Sequence, residues 1–329
     1  MIYSRTMLRL LSLGLVLLLA SPVAARPKHR LLKVLDLGPK QLSMSPDGQE
    51  VWASELYVHR LAVVDARRMV LKKRIPLGDE DEPVEVVHRR DGREVWVSIL
   101  NRESVYVVDT RTHEISHRIR VGREPKGIAF TPDERLAFVT NWKDRSVSVV
   151  DVAARKTVRT LKVGKVPRGV AVTPNGQEAW VAGFVGRDIH IIDVATLTVK
   201  EVIRGLARDP RHLVFSPDGR TAFLACNRGG VVQVIDVATR RVRATVKTGL
   251  GGRSIVLAHG GRYAYVASYY GRQVVVVDTA TLSVVERIPA HKQCIGVAIT
   301  PEGDRLFVSN YNTWKVLVYE IPRWYREGA

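Results

Sequence analysis

The chain has 329 residues, 46% of them hydrophobic, and 51 Lys and Arg against 33 Asp and Glu. So dense an apolar pattern excludes a globally disordered protein. The formal net charge of +18 favours polyanions or negatively charged proteins as partners, and the alternative is an Arg-rich composition that serves only solubility.

The N-terminal segment has the layout of a secretory signal. Arg5 and Arg9 precede an uncharged apolar stretch at residues 10–20, and small residues follow at 21–25. This pattern predicts cleavage after Ala25, with an uncleaved anchor as the alternative. The remaining chain is expected to be exported, periplasmic or secreted, and to have no other membrane anchor.

One unit is repeated along the rest of the chain. Turn-like tetrads begin at positions 45, 89, 131, 173, 216, 258 and 300 (SPDG, RRDG, TPDE, TPNG, SPDG, AHGG and TPEG). A second marker keeps the same spacing of 42 to 44 residues: Asp65, Asp109, Asp151, Asp193, Asp236, Asp278 and Glu320. Two markers with equal steps establish seven copies of the unit.

Each unit reads as four short strands, a to d. In the third copy these are GIAFTPD (127–133), LAFVTN (136–141), SVSVVD (146–151) and TVRTLKV (157–163). Four-stranded units of this length are typical of β-propeller blades. The sequence therefore predicts an all-β, seven-bladed propeller of antiparallel blades, with the recurrent Asp bonding its own downstream backbone in the c–d turn.

The two ends of the chain predict how the ring closes. The last copy stops after strand c at 316–320, and a strand without its own blade precedes the first copy at about 30–38. Pairing the two completes the last blade and removes an open edge. We expect one monomeric propeller domain at 26–322, followed by a short C-terminal tail at 323–329.

An aromatic residue recurs seven positions after each turn marker, on strand b. Since seven equivalent positions cannot all form one binding site, we expect these rings to pack between blades. The series is Trp52, Trp96, Phe138, Trp180, Phe223, Tyr265 and Phe307.

The tetrads FVTN (138–141) and FVSN (307–310) resemble the repeat that names the YVTN-type β-propeller family, and YVAS (265–268) is a looser version. The resemblance covers the chain after residue 25 and implies the fold without a reaction. Similar propellers serve as exported binding proteins, haem d1 carriers, companions of quinone-dependent dehydrogenases, and lactonases.

A basic residue recurs five positions before five of the seven turn markers, at the entry to strand a. Because strand a is innermost in a propeller, we expect these side chains at the channel mouth, where mutual repulsion calls for an anionic ligand. The predicted anion-binding residues are Lys40, Lys126, Arg168, Arg211 and Arg253, with His212 and Lys292 beside them. The alternative is loop architecture, with Glu85, Glu124 and Asp209 neutralising part of the ring.

Aromatic residues gather in the b–c loops of the same face. Rings interleaved with basic residues suit single-stranded nucleic acid or an acidic glycan, and an acidic protein partner would see the same charge. The predicted stacking residues are Trp142, Tyr269, Tyr270 and Trp314, with ordinary loop packing as the alternative.

No phosphate loop, nucleophile elbow or c-type haem motif occurs, so a non-catalytic binding or scaffold protein without a cofactor is the preferred interpretation. The alternatives are a carrier of haem d1 or copper in a redox pathway, with His212, His291 and Cys294 as candidate ligands, or a lactonase-like enzyme. A whole blade separates Cys226 from Cys294, so we expect two free thiols, the first buried and the second reachable.

Overall fold

A computed structural model describes residues 26–327. The predicted signal at residues 1–25 lies outside the described residues. The described chain contains 28 strands in seven four-stranded sheets, one short 3-10 turn (Leu56–Val58) and one short helix, α1 (Trp324–Glu327).

The strands follow the repeat. Blade 1 contains β2 (Leu42–Met44), β3 (Glu50–Glu55), β4 (Arg60–Asp65) and β5 (Val70–Pro76). Blade 2 contains β6 (Pro83–His88), β7 (Glu94–Ile99), β8 (Ser104–Asp109) and β9 (Ile115–Arg120). Blade 3 contains β10 (Pro125–Phe130), β11 (Leu136–Asn141), β12 (Ser146–Asp151) and β13 (Lys156–Lys162). Blade 4 contains β14 (Pro167–Val172), β15 (Glu178–Gly183), β16 (Asp188–Asp193) and β17 (Thr198–Ile203). Blade 5 contains β18 (Pro210–Phe215), β19 (Thr221–Cys226), β20 (Val231–Asp236) and β21 (Val242–Lys247). Blade 6 contains β22 (Gly252–Ala258), β23 (Tyr263–Ser268), β24 (Gln273–Asp278) and β25 (Ser283–Pro289). Blade 7 contains β26 (Cys294–Ile299), β27 (Arg305–Asn310), β28 (Lys315–Glu320) and β1 (Arg30–Asp36).

The termini close the ring as predicted. Blade 7 has the order β1-β28-β27-β26, so its outer strand comes from the N-terminal end of the described chain. β1 runs antiparallel to β28, with Val34 opposite Leu317 and Asp36 opposite Lys315. The blade therefore has its full set of strands, and separating the first blade from the last requires breaking a sheet.

The core is divided into seven apolar clusters, each between two adjacent blades. Every cluster contains one aromatic residue of the strand-b series, and all seven are at most 2% exposed. Trp180, for example, packs with Ile191 of its own blade and Leu213 and Leu224 of blade 5. The prediction that these rings wedge blade against blade is confirmed.

The recurrent Asp residues act in the c–d turns as predicted. Asp151 Oδ1 accepts a hydrogen bond from the backbone N–H of Ala154 at 2.8 Å. Asp236 Oδ1 accepts one from Thr239 N–H at 2.7 Å. The carboxylate satisfies turn donors that the strands cannot pair, which explains why an acid recurs there.

The C-terminal residues fold back onto the outer edge of blade 6. Tyr325 of α1 is fully buried, and its hydroxyl donates to Glu286 Oε2 at 2.9 Å. The same carboxylate oxygen lies 2.9 Å from His29 Nδ1. Both ends of the described chain are thus fastened to one residue of β25.

Both cysteines are free, as predicted. The expectation that Cys294 is reachable is wrong, because its side chain is buried in the apolar cluster between blades 6 and 7. No helix within residues 26–327 is long and apolar enough to cross a membrane.

Candidate functional site

One face of the disc carries both the d–a connections and the b–c turns, and we call it the mouth face. The two kinds of loop are joined by backbone hydrogen bonds within each blade. Trp142 N–H donates to Glu124 C=O at 3.0 Å, and Tyr311 N–H donates to Gln293 C=O at 3.1 Å. The predicted basic and aromatic sets therefore lie on one surface.

The predicted basic positions meet at the channel axis. Lys40, Lys126, Arg168 and Arg211 line one cavity, which we call the channel neck, together with Gln41, Val84, Glu85, Gly127, His212, Ser254 and Ile295. Arg253 occupies the corresponding position in blade 6, and its charge acts on Lys40, Arg168 and Arg211. The neck has a volume of about 30 Å³, which is room for one or two water molecules.

A preceding proline and a shift in the strand register orient these side chains toward the channel. Four of the five basic residues follow a proline, in Pro39-Lys40, Pro125-Lys126, Pro167-Arg168 and Pro210-Arg211. The β10–β11 register shifts between Pro125 and Ile128, across Lys126. Such irregularities redirect a side chain out of the regular pleat. The Pro-basic pair was a readable signal that the sequence reasoning missed.

A hydroxyl on strand b fixes the basic residue of the next blade. Thr140 Oγ1 accepts a hydrogen bond from Gly127 N–H at 2.9 Å and donates to the carbonyl oxygen of Arg168 at 2.7 Å. Equivalent contacts to the next blade come from Ser54, Ser98 and Ser309. Blades 4 to 6 have Ala182, Ala225 and Ala267 at this position. The hydroxyl is the third residue of the recurring tetrad, a role that sequence reasoning did not assign.

The five basic side chains have no acidic partner. Within residues 26–327 none of them forms an ion pair or donates a side-chain hydrogen bond. Lys126 is 5% exposed and Arg211 8%, so water screens neither charge well. The ion-paired loop architecture considered as an alternative does not occur at these side chains.

The acids expected to neutralise the ring are engaged elsewhere. Glu124 pairs with Lys143 at 3.7 Å, and Asp209 pairs with Arg228. Glu85 is the one carboxylate among the residues that line the neck, where it accepts from Gln41 Nε2 at 3.2 Å. One carboxylate therefore faces the four basic side chains that line the neck.

Burial and mutual repulsion shift the basic groups. Burial, followed by the charges of Arg211 and Arg168, lowers the pKa of Lys40 to about 7. Burial and the charges of Lys40 and Arg168 lower the pKa of Lys126 to about 6. Burial raises the pKa of Glu85 to about 7. These shifts show that the ring resists holding its full charge.

The aromatic residues cover the cations. The guanidinium carbon of Arg168 lies 3.9 Å from the ring centroid of Trp142, and Lys126 Nζ lies 4.6 Å from the same centroid. The guanidinium carbon of Arg253 lies 3.9 Å from the ring centroid of Tyr269. Contacts of this kind hold a cation in place without neutralising it.

The remaining predicted residues lie further out on the mouth face. Tyr270 is 60% exposed and Trp314 42%, and neither ring has a cation over it among the described residues. Trp314 packs against Gly38, where an added Cβ would lie 2.6 Å from its ring. Lys292 is exposed and does not line the neck.

The candidate metal ligands do not converge. His212 lines the neck, and burial with the nearby Arg211 charge lowers its pKa to about 3, so the ring is neutral. His291 is exposed, and burial raises the pKa of the Cys294 thiol to about 12. Among the residues that the structure describes, no three His, Cys, Asp or Glu side chains are grouped to hold a metal ion.

Comparisons with known proteins agree on the architecture. Residues 130–239 match a family described as YNCE-like beta-propeller. The protein is a β-propeller. Residues 210–302 of the propeller match the cytochrome D1 heme domain family. Neither match reaches half of the chain, and the resemblance to the YVTN-type family stays a prediction.

A solved structure shares the fold over nearly its whole length. It is a chain of Kuenenia stuttgartiensis hydrazine synthase, with a TM-score of 0.78 and 22% identity, and the alignment covers 87% of the present chain and 97% of that chain. No curated protein is significantly similar in sequence. The likeness at this identity concerns the fold alone.

Proposed function

We propose that the protein is an exported, non-catalytic propeller that binds an anionic ligand, or an acidic partner protein, on its mouth face. One observation carries the proposal: five buried or half-buried basic side chains surround the channel axis, and none has an ion-pair partner within the described chain. Unpaired buried charge is costly, so its presence at a concave surface favours a ligand that supplies the opposite charge.

The neck and the surrounding face suit different parts of a ligand. The neck is too small for more than a small anion or one anionic group. Tyr270 and Trp314 offer exposed rings further out, on which bases or sugars of a single-stranded nucleic acid or an acidic glycan would stack. A polymer would thus place one charged group in the neck and others across the mouth face.

The proposal is tested by fluorescence anisotropy of the purified protein with labelled single-stranded DNA and with a labelled acidic polysaccharide, at several salt concentrations. We expect affinity for at least one of them to fall steeply with salt. The variant Arg168→Gln/Arg253→Gln should lose most of this binding.

A matched control makes the same change in charge on the opposite face. Arg135 and Arg220 are exposed in the a–b turns, so Arg135→Gln/Arg220→Gln should bind as the unmodified protein does. Equal losses in the two variants would mean a diffuse charge effect. Unchanged binding in the mouth variant would place the ligand elsewhere.

A second candidate function is a haem d1 carrier, favoured by the family match at residues 210–302. That segment contributes Arg211 and Arg253, whose cations would suit the carboxylates of the macrocycle, and the neutral imidazole of His212. His212 does not suit its iron, because a neck of about 30 Å³ admits no macrocycle to the imidazole. Of the two candidate histidines, His291 is the one with an exposed imidazole. The residues at the neck would therefore suit the carboxylates of the macrocycle but would not supply a ligand to its iron.

Colour separates the two candidates. A carrier is expected to show visible absorbance and bound iron after purification from its native source, and His291→Ala should lower both. A binding protein without a cofactor would show neither, and its salt-sensitive anion binding would persist in His291→Ala.

A further inference from the structure

We infer that the channel neck binds one small anion together with a proton, and that the proton goes to Lys40 or Lys126. The inference rests on the proposed function and adds the size of the anionic group and the coupling to protons. The chemistry is that of an inorganic oxoanion or of the anionic head of a larger ligand.

The charge count at the neck leads to proton coupling. Four basic side chains and one carboxylate line the neck, two of the four are buried, and the charge of Arg253 acts on three of them. Keeping every one of them charged would require positive charges to repel each other where water screens weakly. Some of them must therefore be neutral until an anion arrives.

The lysines are the groups that lose the proton. Arginine holds its proton too strongly to be deprotonated in a protein, whereas a buried lysine gives it up readily. Lys126 is 95% buried against Trp142, and the largest influences on Lys40 after its burial are the charges of Arg211 and Arg168. A negative charge bound in the neck offsets the repulsion from the arginines and favours the protonated form of the lysine. A lysine therefore takes up a proton from the buffer when the anion binds.

Other titratable groups also face the neck and affect the balance. His212 stays neutral in the same environment. Glu85 would also take up a proton, because a bound anion disfavours its charged form. The further groups whose charges act on the lysines or arginines are Glu124, Asp209, Tyr269, Tyr270 and Tyr311.

Isothermal titration calorimetry with sodium sulfate tests the inference, since sulfate does not titrate near neutral pH. Measurements in two buffers with different ionisation heats give the number of protons taken up. We expect uptake of up to about one proton per sulfate near pH 7.5, and a loss of affinity of up to about tenfold per pH unit above pH 7.

Three variants identify the group that takes up the proton. Lys40→Arg and Lys126→Arg carry a permanent positive charge and so remove a proton acceptor. At least one of them should therefore bind sulfate with reduced uptake. Glu85→Gln should retain uptake if the lysines are responsible. Lys165→Arg changes an exposed lysine of a d–a loop and should behave as the unmodified protein does.

The outcomes separate this inference from the proposed function. Sulfate that binds without proton uptake, or uptake that disappears only in Glu85→Gln, would overturn the assignment to the lysines and leave the anion site. No sulfate binding, with labelled polymer still bound at the mouth face, would overturn the neck site alone. Loss of both would overturn the proposed function as well. If the Arg variants do not fold, proton uptake measured in Glu85→Gln still decides, since uptake retained there assigns the proton to a lysine and uptake lost there overturns that assignment.

Discussion

Trp142 packs against two basic side chains from neighbouring blades, with its ring centroid 3.9 Å from the guanidinium carbon of Arg168 and 4.6 Å from Lys126 Nζ. Its backbone N–H is bonded to the d–a loop of its own blade at Glu124. A single b–c loop therefore positions two members of the basic ring. The ring is held by aromatic faces, which leave its positive charge available to a ligand.

Replacing Trp142 should weaken the fold more than replacing an exposed tryptophan of the same face. We expect Trp142→Leu to lower the free energy of unfolding by about 1–2 kcal/mol, because the cation–π contact with Arg168 and the packing of the ring against Lys126 are lost. Denaturant unfolding measures the change. Trp314→Leu is the control, since no cation lies over Trp314 in the described part of the chain, and equal losses would contradict the account.

The hydroxyl of Thr140 should matter more than its shape. Thr140→Val leaves Gly127 N–H and the Arg168 carbonyl without their partner, at a cost of about 1–3 kcal/mol in the free energy of unfolding. Thr140→Ser should cost much less, because serine makes both contacts, to the backbone N–H and to the next blade's carbonyl, in blades 1, 2 and 7. Chemical denaturation of both variants decides, and a serine variant as unstable as the valine variant would show that the methyl group is what counts.

His88 should make the protein less stable in acid. Its ring packs edge-on against Trp52, with 5.8 Å between the ring centroids. Phe130 and Phe215 make the equivalent edge-on contacts with Trp96 and Trp180. Burial lowers its pKa to about 4. Between pH 6.5 and 4 the unfolded chain therefore binds a proton that the folded chain does not, and stability falls as pH falls.

The variant His88→Phe removes this effect. Relative to the unmodified protein, it should gain about 1–2 kcal/mol more in unfolding free energy at pH 5 than at pH 7.5. Urea unfolding at the two pH values measures the difference. His117→Gln, at an exposed histidine, is the control, and a gain that does not depend on pH would contradict the assignment to His88.

We expect helix α1 to stabilise β1, the N-terminal strand that completes blade 7. Tyr325→Ala removes a fully buried ring and its hydrogen bond to Glu286, so we expect a loss of about 3–5 kcal/mol. Amide hydrogen exchange should accelerate first in β1 and β28. The control is Arg326→Ala, which changes the exposed neighbouring residue and should leave exchange unchanged. Faster exchange in this control, or equal acceleration in all blades of Tyr325→Ala, would contradict a local stabilising role for Tyr325.

The fold was predictable because a strict repeat places equivalent residues in equivalent strands. The same register located Lys126 and Arg168 at the channel axis, since strand a is innermost in every blade. The partners of these residues were not predictable, because Thr140 and Arg168 lie 28 residues apart and meet only after two blades pack. The contact depends on blade spacing, which the repeat length does not specify.

Burial of Cys294 and Tyr325 escaped sequence reasoning for a related reason. Cys294 and Ile295 are adjacent at the start of β26, and adjacent residues of a strand point to opposite sides. Ile295 lines the neck, whereas Cys294 is buried between blades 6 and 7. Tyr325 stands in too short a segment to show periodicity, and it is buried by contacts with Glu286 and His29. Neither outcome follows from local pattern.

The most direct measurement of the central claim is the position of a bound anion. Crystals of the purified protein grown with selenate would be examined for anomalous scattering from selenium. We predict a peak within hydrogen-bonding distance of Lys126, Arg168 or Arg211. Ordered selenate confined to the opposite face, with none at the neck, would contradict the account.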